Sequence, residues 1–63
     1  MTQKELLYVE DAIMHEQSIM SIINESIKTI DDENLVEFMN NELDRHQENL
    51  DNLINLLEGK IHG

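Results

Sequence analysis

Thr29-Ile30-Asp31-Asp32-Glu33-Asn34 is the first stretch in this 63-residue chain that can stop a helix, and it divides the chain into two nearly equal halves. Proline is absent and both glycines, Gly59 and Gly63, lie at the far end. Within the stretch, Asp31 or Asp32 can cap a new helix by accepting from backbone amides, and Glu33 is favourable in its first turn. Working back, Thr2 with Glu5 three residues later forms a capping box that satisfies two orphan amide donors. Working forward, Gly59 offers the left-handed residue that commonly ends a helix. The spacing therefore predicts helix 1 over residues 3–29 and helix 2 over residues 33–58, each about 40 Å long at ~1.5 Å per residue. A turn this short forces the two to run antiparallel. The expected fold is all-α, a single helical-hairpin domain over residues 1–63.

Both halves carry the same heptad signature. The helix 1 seam is Leu6, Val9, Ile13, Glu16, Met20, Ile23, Ile27 and Ile30. The helix 2 seam is Val36, Met39, Leu43, His46, Leu50, Leu53 and Leu57. Each has alternating three- and four-residue spacing, and each contains one polar residue. Folding the seams about the turn pairs Ile27 with Met39, Ile23 with Leu43, Met20 with His46 and Glu16 with Leu50. Glu16 and His46 then fall in adjacent layers. Ala12 and Ile19 widen the apolar arc on helix 1, as Leu35, Phe38 and Leu56 do on helix 2. An arc that wide faces two neighbours, and a hairpin gives each helix only one. The expected closure is an antiparallel homodimer of hairpins, a four-helix bundle with two-fold symmetry. Leu7 and Met14 point to the opposite, otherwise polar side of helix 1, where they could form a small second contact.

Size and charge support the same expectation. A lone core is marginal at this length, and small folds usually add disulfides, a metal or oligomerisation. There is no cysteine, so disulfides and thiolate metal sites are excluded. The formal charge is −10, from fourteen acidic against four basic residues. Such a surface repels phosphate backbones and anionic membranes, which argues against nucleic-acid partners and membrane attachment. No apolar run approaches the ~20 residues that span a bilayer. Met1-Thr2-Gln3-Lys4-Glu5 has no signal-peptide core behind it, so synthesis in a cytoplasm is expected, without secretion by a signal peptide.

The residues that could carry chemistry are few. Glu16 lies at the centre of the helix 1 arc, His46 at the centre of the helix 2 arc, and Glu42 at its edge one turn before His46. A buried carboxylate needs a partner, so a Glu16–His46 hydrogen-bonded pair that fixes register is the favoured reading. Two-fold symmetry would gather two copies of each residue in one core. Glu16, Glu42 and His46 then form a candidate metal set similar to a ferritin-like dimetal site, in which each helix pair supplies a Glu and a Glu-x-x-His. Iron, manganese and zinc are the ions such donors suit. Here, however, Leu43 stands three residues before His46, and Glu42 stands four before it. Asp11 and His15 are expected to pair along one helix. His62 reads as an idle tail residue, and Asp44 as a solvated outer one. No Ser, Thr or Cys nucleophile is spaced to meet a base, and there is no glycine-rich phosphate loop, so an enzyme is not expected.

The run Lys4-Glu5-Leu6-Leu7-Tyr8-Val9-Glu10-Asp11-Ala12-Ile13, followed by His15-Glu16, resembles the opening of small spore-coat proteins of the coat-F-like, ferritin-like type from clostridia and bacilli. Glu33-Asn34-Leu35 and His46-Gln47-Glu48-Asn49-Leu50 are similar to their second helix. Eight Ile and seven Asn against one Ala and one Arg fit the AT-rich genomes of such a source. The resemblance implies a ferritin-like hairpin made in the sporulating cell, associated with the coat or forespore, with other coat proteins as partners and a structural role. A further alternative comes from the small sporulation aspartyl-phosphatases, also acidic helical hairpins. Asn41-Glu42-Leu43-Asp44 is similar to part of their Ser-Gln-Glu-Leu-Asp motif, with Asn40-Asn41 in place of the Ser-Gln pair.

Overall fold

Thr2 opens the first helix in the way its side chain allows. Its backbone is extended (φ −74°, ψ 164°), its hydroxyl accepts from Glu5 N–H at 3.1 Å, and Glu5 Oε1 accepts from Thr2 N–H at 2.8 Å. Both halves of the capping box are thus closed. In the computed structural model, which describes the backbone of residues 1–62 and the side chains of residues 1–59, helix α1 runs from Gln3 to Ile27 and helix α2 from Glu33 to His62. No other regular element occurs among the described residues.

The helix ends depart from the sequence expectation in two places. Helix α1 stops at Ile27, earlier than residue 29. There, Thr29 N–H reaches Ser26 O at 3.2 Å and Ile30 N–H reaches Ile27 O at 3.5 Å, three-residue bonds that tighten the exit. The Thr29 hydroxyl also donates to Ser26 O at 3.2 Å. A β-branched hydroxyl residue offers the backbone this alternative to the helical ladder. Asp32, one of the two aspartates considered, caps α2: its Oδ1 accepts from Asn34 N–H at 2.9 Å and Leu35 N–H at 3.1 Å. At the other end, Gly59 does not stop the helix. It has no left-handed φ, and α2 continues through it. Glycine is permitted, at a cost of about 1 kcal/mol, inside a helix, and no proline follows to end the ladder. The side chain of His62 lies outside the described residues.

The two helices pack antiparallel into a slab of 45 × 15 × 11 Å, two helices wide and one deep. A slab has no inside. Leu50, at 8% exposure, is the one buried residue among those described. The rest of the seam, including Ile13, Met20, Ile23, Met39 and Leu43, is only half-buried. The surface area is 4945 Å², against about 4,200 Å² for a compact chain of this mass. The radius of gyration is 14.6 Å, against about 11 Å for a compact domain of this length. No described helix is long and apolar enough to cross a membrane.

Most of the exposed apolar side chains share one side. Tyr8 (61%), Ile22 (66%) and Phe38 (59%) are the largest on one side, with Leu35 and Leu56 at 45% each. Successive helical residues turn by ~100°. Tyr8, Ala12, Ile19 and Ile22 therefore make a stripe about a quarter-turn from the helix α1 seam. Leu35, Phe38 and Leu56 make the equivalent stripe on α2. In an antiparallel pair these two stripes fall on the same side. Tyr8 and Leu56 accordingly line one open depression with Met1, Glu5 and Val9. Acidic residues such as Glu37, Asp44, Glu48 and Asp51 are exposed on the other sides.

Candidate functional site

Glu16 and His46 occupy the mid-points of facing helices, and each replaces an apolar residue in its seam. Their side chains meet, with Glu16 Oε2 2.5 Å from His46 Nδ1. An ionised carboxylate only accepts, so when Glu16 is ionised the contact takes its proton from Nδ1. When the second nitrogen is also protonated, the contact becomes an ion pair. Both groups are largely enclosed, with side-chain exposures of 17% for Glu16 and 22% for His46. Adjacent seam layers were enough to bring the pair together, as the spacing predicts.

Glu42 lies on the same face of α2, one turn before His46. Its Oε2 is 3.9 Å from His46 Nε2, beyond hydrogen-bond range. Its Oε1 instead accepts from Arg45 Nη1 at 2.9 Å. The result is a ribbon of polar groups across the hairpin, Arg45, Glu42, His46 and Glu16, with a gap between Glu42 and His46. Arg45 was not among the residues singled out from the sequence. Its three-residue spacing from Glu42, which makes helical neighbours, was the signal available. With the Arg45 side chain 72% exposed, its ion pair is worth at most about 1 kcal/mol.

The ribbon lies in the middle of the open face. One side of Glu16 borders a depression shared with Asn49, Asn52, Leu53 and Leu56. Its other side borders Asp11, Ala12, His15 and Ile19. Apolar side chains thus flank a polar centre. Sequence reading captured Ile19, Leu35, Phe38 and Leu56 but missed Ile22 and the stripe as a unit. The four-three spacing of Tyr8, Ala12, His15, Ile19 and Ile22 carried that information, masked by the polar His15.

The arrangement limits the chemistry available. Glu16 and His46 form an acid–imidazole pair, and among the described residues no hydroxyl or thiol is hydrogen-bonded to it. Among the described residues, no group of three or more His, Asp or Glu side chains is arranged to hold a metal ion. Within one chain, Glu16 engages His46 Nδ1, which leaves Nε2 and Glu42 as the nearest donors to each other. Asp11 and His15 are both exposed and form no hydrogen bond or ion pair among the described residues. The Asn41-Glu42-Leu43-Asp44 run does not present one surface either. Glu42 is tied to Arg45, Leu43 lies in the seam, and Asp44 is exposed on the outside. Leu7 (53%) and Met14 (63%) are exposed on the outer side of α1.

Comparison with known proteins returns no matching family model, no curated protein and no solved structure.

Proposed function

We propose that this chain is a non-enzymatic structural module that self-associates, open face to open face, into an antiparallel four-helix bundle. The observation that carries the reading is the missing core: one residue at 8% exposure, beneath a face lined by large exposed apolar side chains. Helices in water are marginal unless an amphipathic face is packed, and one hairpin packs only half of each face. The surface area in excess of a compact chain is about 700 Å². That is close to the ~800 Å² each partner buries in a standard stable interface. A second copy also suits the charge pattern, because most acidic side chains lie away from the face and remain in water.

The cellular setting is a spore coat or forespore, with other coat proteins as further partners. This part rests on the likeness of Lys4–Ile13 with His15-Glu16, and of the middle of α2, to small coat-F-like proteins. Sedimentation or native mass spectrometry is expected to give twice the 7.4 kDa chain mass, with a thermal midpoint that rises with protein concentration. A folded chain of single mass, melting at the same temperature at every micromolar dilution, would overturn the proposal.

A ferritin-like metal protein is the second reading, and the juxtaposition of Glu16, His46 and Glu42 is the observation in its favour. Pairing of two chains would double these donors. The structural reading predicts protein purified without chelator to carry less than a trace of metal. Stoichiometric iron, manganese or zinc that disappears in Glu16→Ala or His46→Ala would replace it with the metal reading.

A further inference from the structure

We infer that the second copy docks with its turn at the opposite end of the bundle, helix α1 on helix α1 and α2 on α2, about a two-fold axis crossing the helices at Ile19 and Gln47. The inference rests on the self-association proposed above and specifies its geometry.

The argument comes from the order of residues along the open face. On α2 the face carries Phe38, Glu42, Arg45, Asn49, Asn52 and Leu56. Phe38 and Leu56 are five helical turns apart and share one azimuth. The series is chemically palindromic about position 47: an apolar residue at each end, polar residues between. Set antiparallel against itself, it lays Phe38 on Leu56 of the second copy. It also lays Glu42 opposite Asn52 of that copy and Arg45 opposite Asn49. These are workable pairs, because an asparagine amide donates to a carboxylate and its carbonyl accepts from a guanidinium. The inner oxygen and nitrogen atoms of the ribbon would then meet polar partners on being buried, as they must.

Helix α1 accommodates the same axis. Within its stripe, Ile19 is the residue that folding about the turn brings to the level of Gln47, within about a residue. The axis that suits α2 therefore sets Ile19 against Ile19, Ala12 near Ser26 and Ile22 near Glu16 of the second copy. The other two-fold arrangement, with both turns at one end, lays α1 on α2. That places Ile19 and Ile22 over the polar centre of α2, around Arg45 and Asn49. Apolar groups would then cover charged ones along the middle of the face. The residue order favours the first arrangement.

The chain lacks cysteine, so single introduced cysteines report the geometry without background. Ile19→Cys alone is expected to oxidise to a covalent dimer in high yield. Phe38→Cys and Leu56→Cys are each expected to stay uncrosslinked alone, and to crosslink when the two are refolded together. Arg45→Cys mixed with Asn49→Cys repeats the test at two exposed positions where folding is least at risk. Crosslinking between Tyr8→Cys and Leu56→Cys, with Ile19→Cys inert, would establish turns at one end and overturn the inference. Equal crosslinking in every combination would overturn it as well. In both cases a sedimentation mass of two chains would leave self-association standing, whereas a single-chain mass would remove both.

Discussion

Leu50→Ala is expected to cost about 2–5 kcal/mol, the range for truncating a buried leucine where the site cannot fully collapse. Domains of this length have about 3–9 kcal/mol in total, so the variant should lose a large share of its stability. Leu50 is the residue that the packing of α1 on α2 removes from water, at 8% exposure. It follows His46 by one turn, so the cavity left by truncation would also loosen the support beneath the imidazole. The comparison variant is Leu7→Ala. It deletes the same atoms from a side chain that is 53% exposed on the outer side of α1, and should change stability by no more than about 0.5 kcal/mol. Urea denaturation of both variants at one fixed protein concentration supplies the test. Equal midpoints for the two would mean that Leu50 is not the centre of the packing.

The contrast between these two leucines shows how far the sequence could be read. Periodicity separated them correctly. Leu50 lies in a seam of three- and four-residue steps, whereas Leu7 falls about half a turn away from its own. The capping aspartates located the turn, and the Thr2–Glu5 box was legible because capping is local chemistry. Helix ends were less legible. Gly59 permits a left-handed cap but does not compel one, and Thr29 tightened the exit of α1 through a hydroxyl bond to Ser26 O at 3.2 Å. For the polar centre, layer arithmetic placed Glu16 next to His46 but could not reveal that Arg45 holds Glu42. That contact depends on which rotamers two long side chains choose. The width of the arc foretold an uncovered face. Its extent became clear only when α1 and α2 were set side by side, and Tyr8, Ile22, Phe38 and Leu56 emerged together.

Glu16→Ala and His46→Ala are each expected to destabilise the protein by about 1–3 kcal/mol, because each leaves a largely enclosed polar group without its partner. Glu16→Ala strands the Nδ1 proton of His46. His46→Ala strands a carboxylate at 17% side-chain exposure, the more costly orphan, since an unpaired charge is harder to desolvate than a neutral ring. Replacing both together reverses the sign of the argument. Glu16→Leu with His46→Leu completes two unbroken apolar heptad seams and removes both desolvation penalties. Buried ion pairs exchanged in this way often give proteins as stable as the parent, or more so by about 1–4 kcal/mol. The double variant should therefore melt at or above the parent temperature although each alanine variant melts below it. What it should lose is uniqueness of pairing, because a polar residue in an apolar seam penalises every register that leaves it unmatched. Urea midpoints measure the first effect, and the crosslinking pattern of Ile19→Cys in the double-leucine background measures the second. If both alanine variants match the parent, the 2.5 Å contact contributes nothing and solvent satisfies the two groups. If the double-leucine protein keeps one crosslinking pattern, the apolar stripes alone set the geometry and the ribbon is a tolerated passenger.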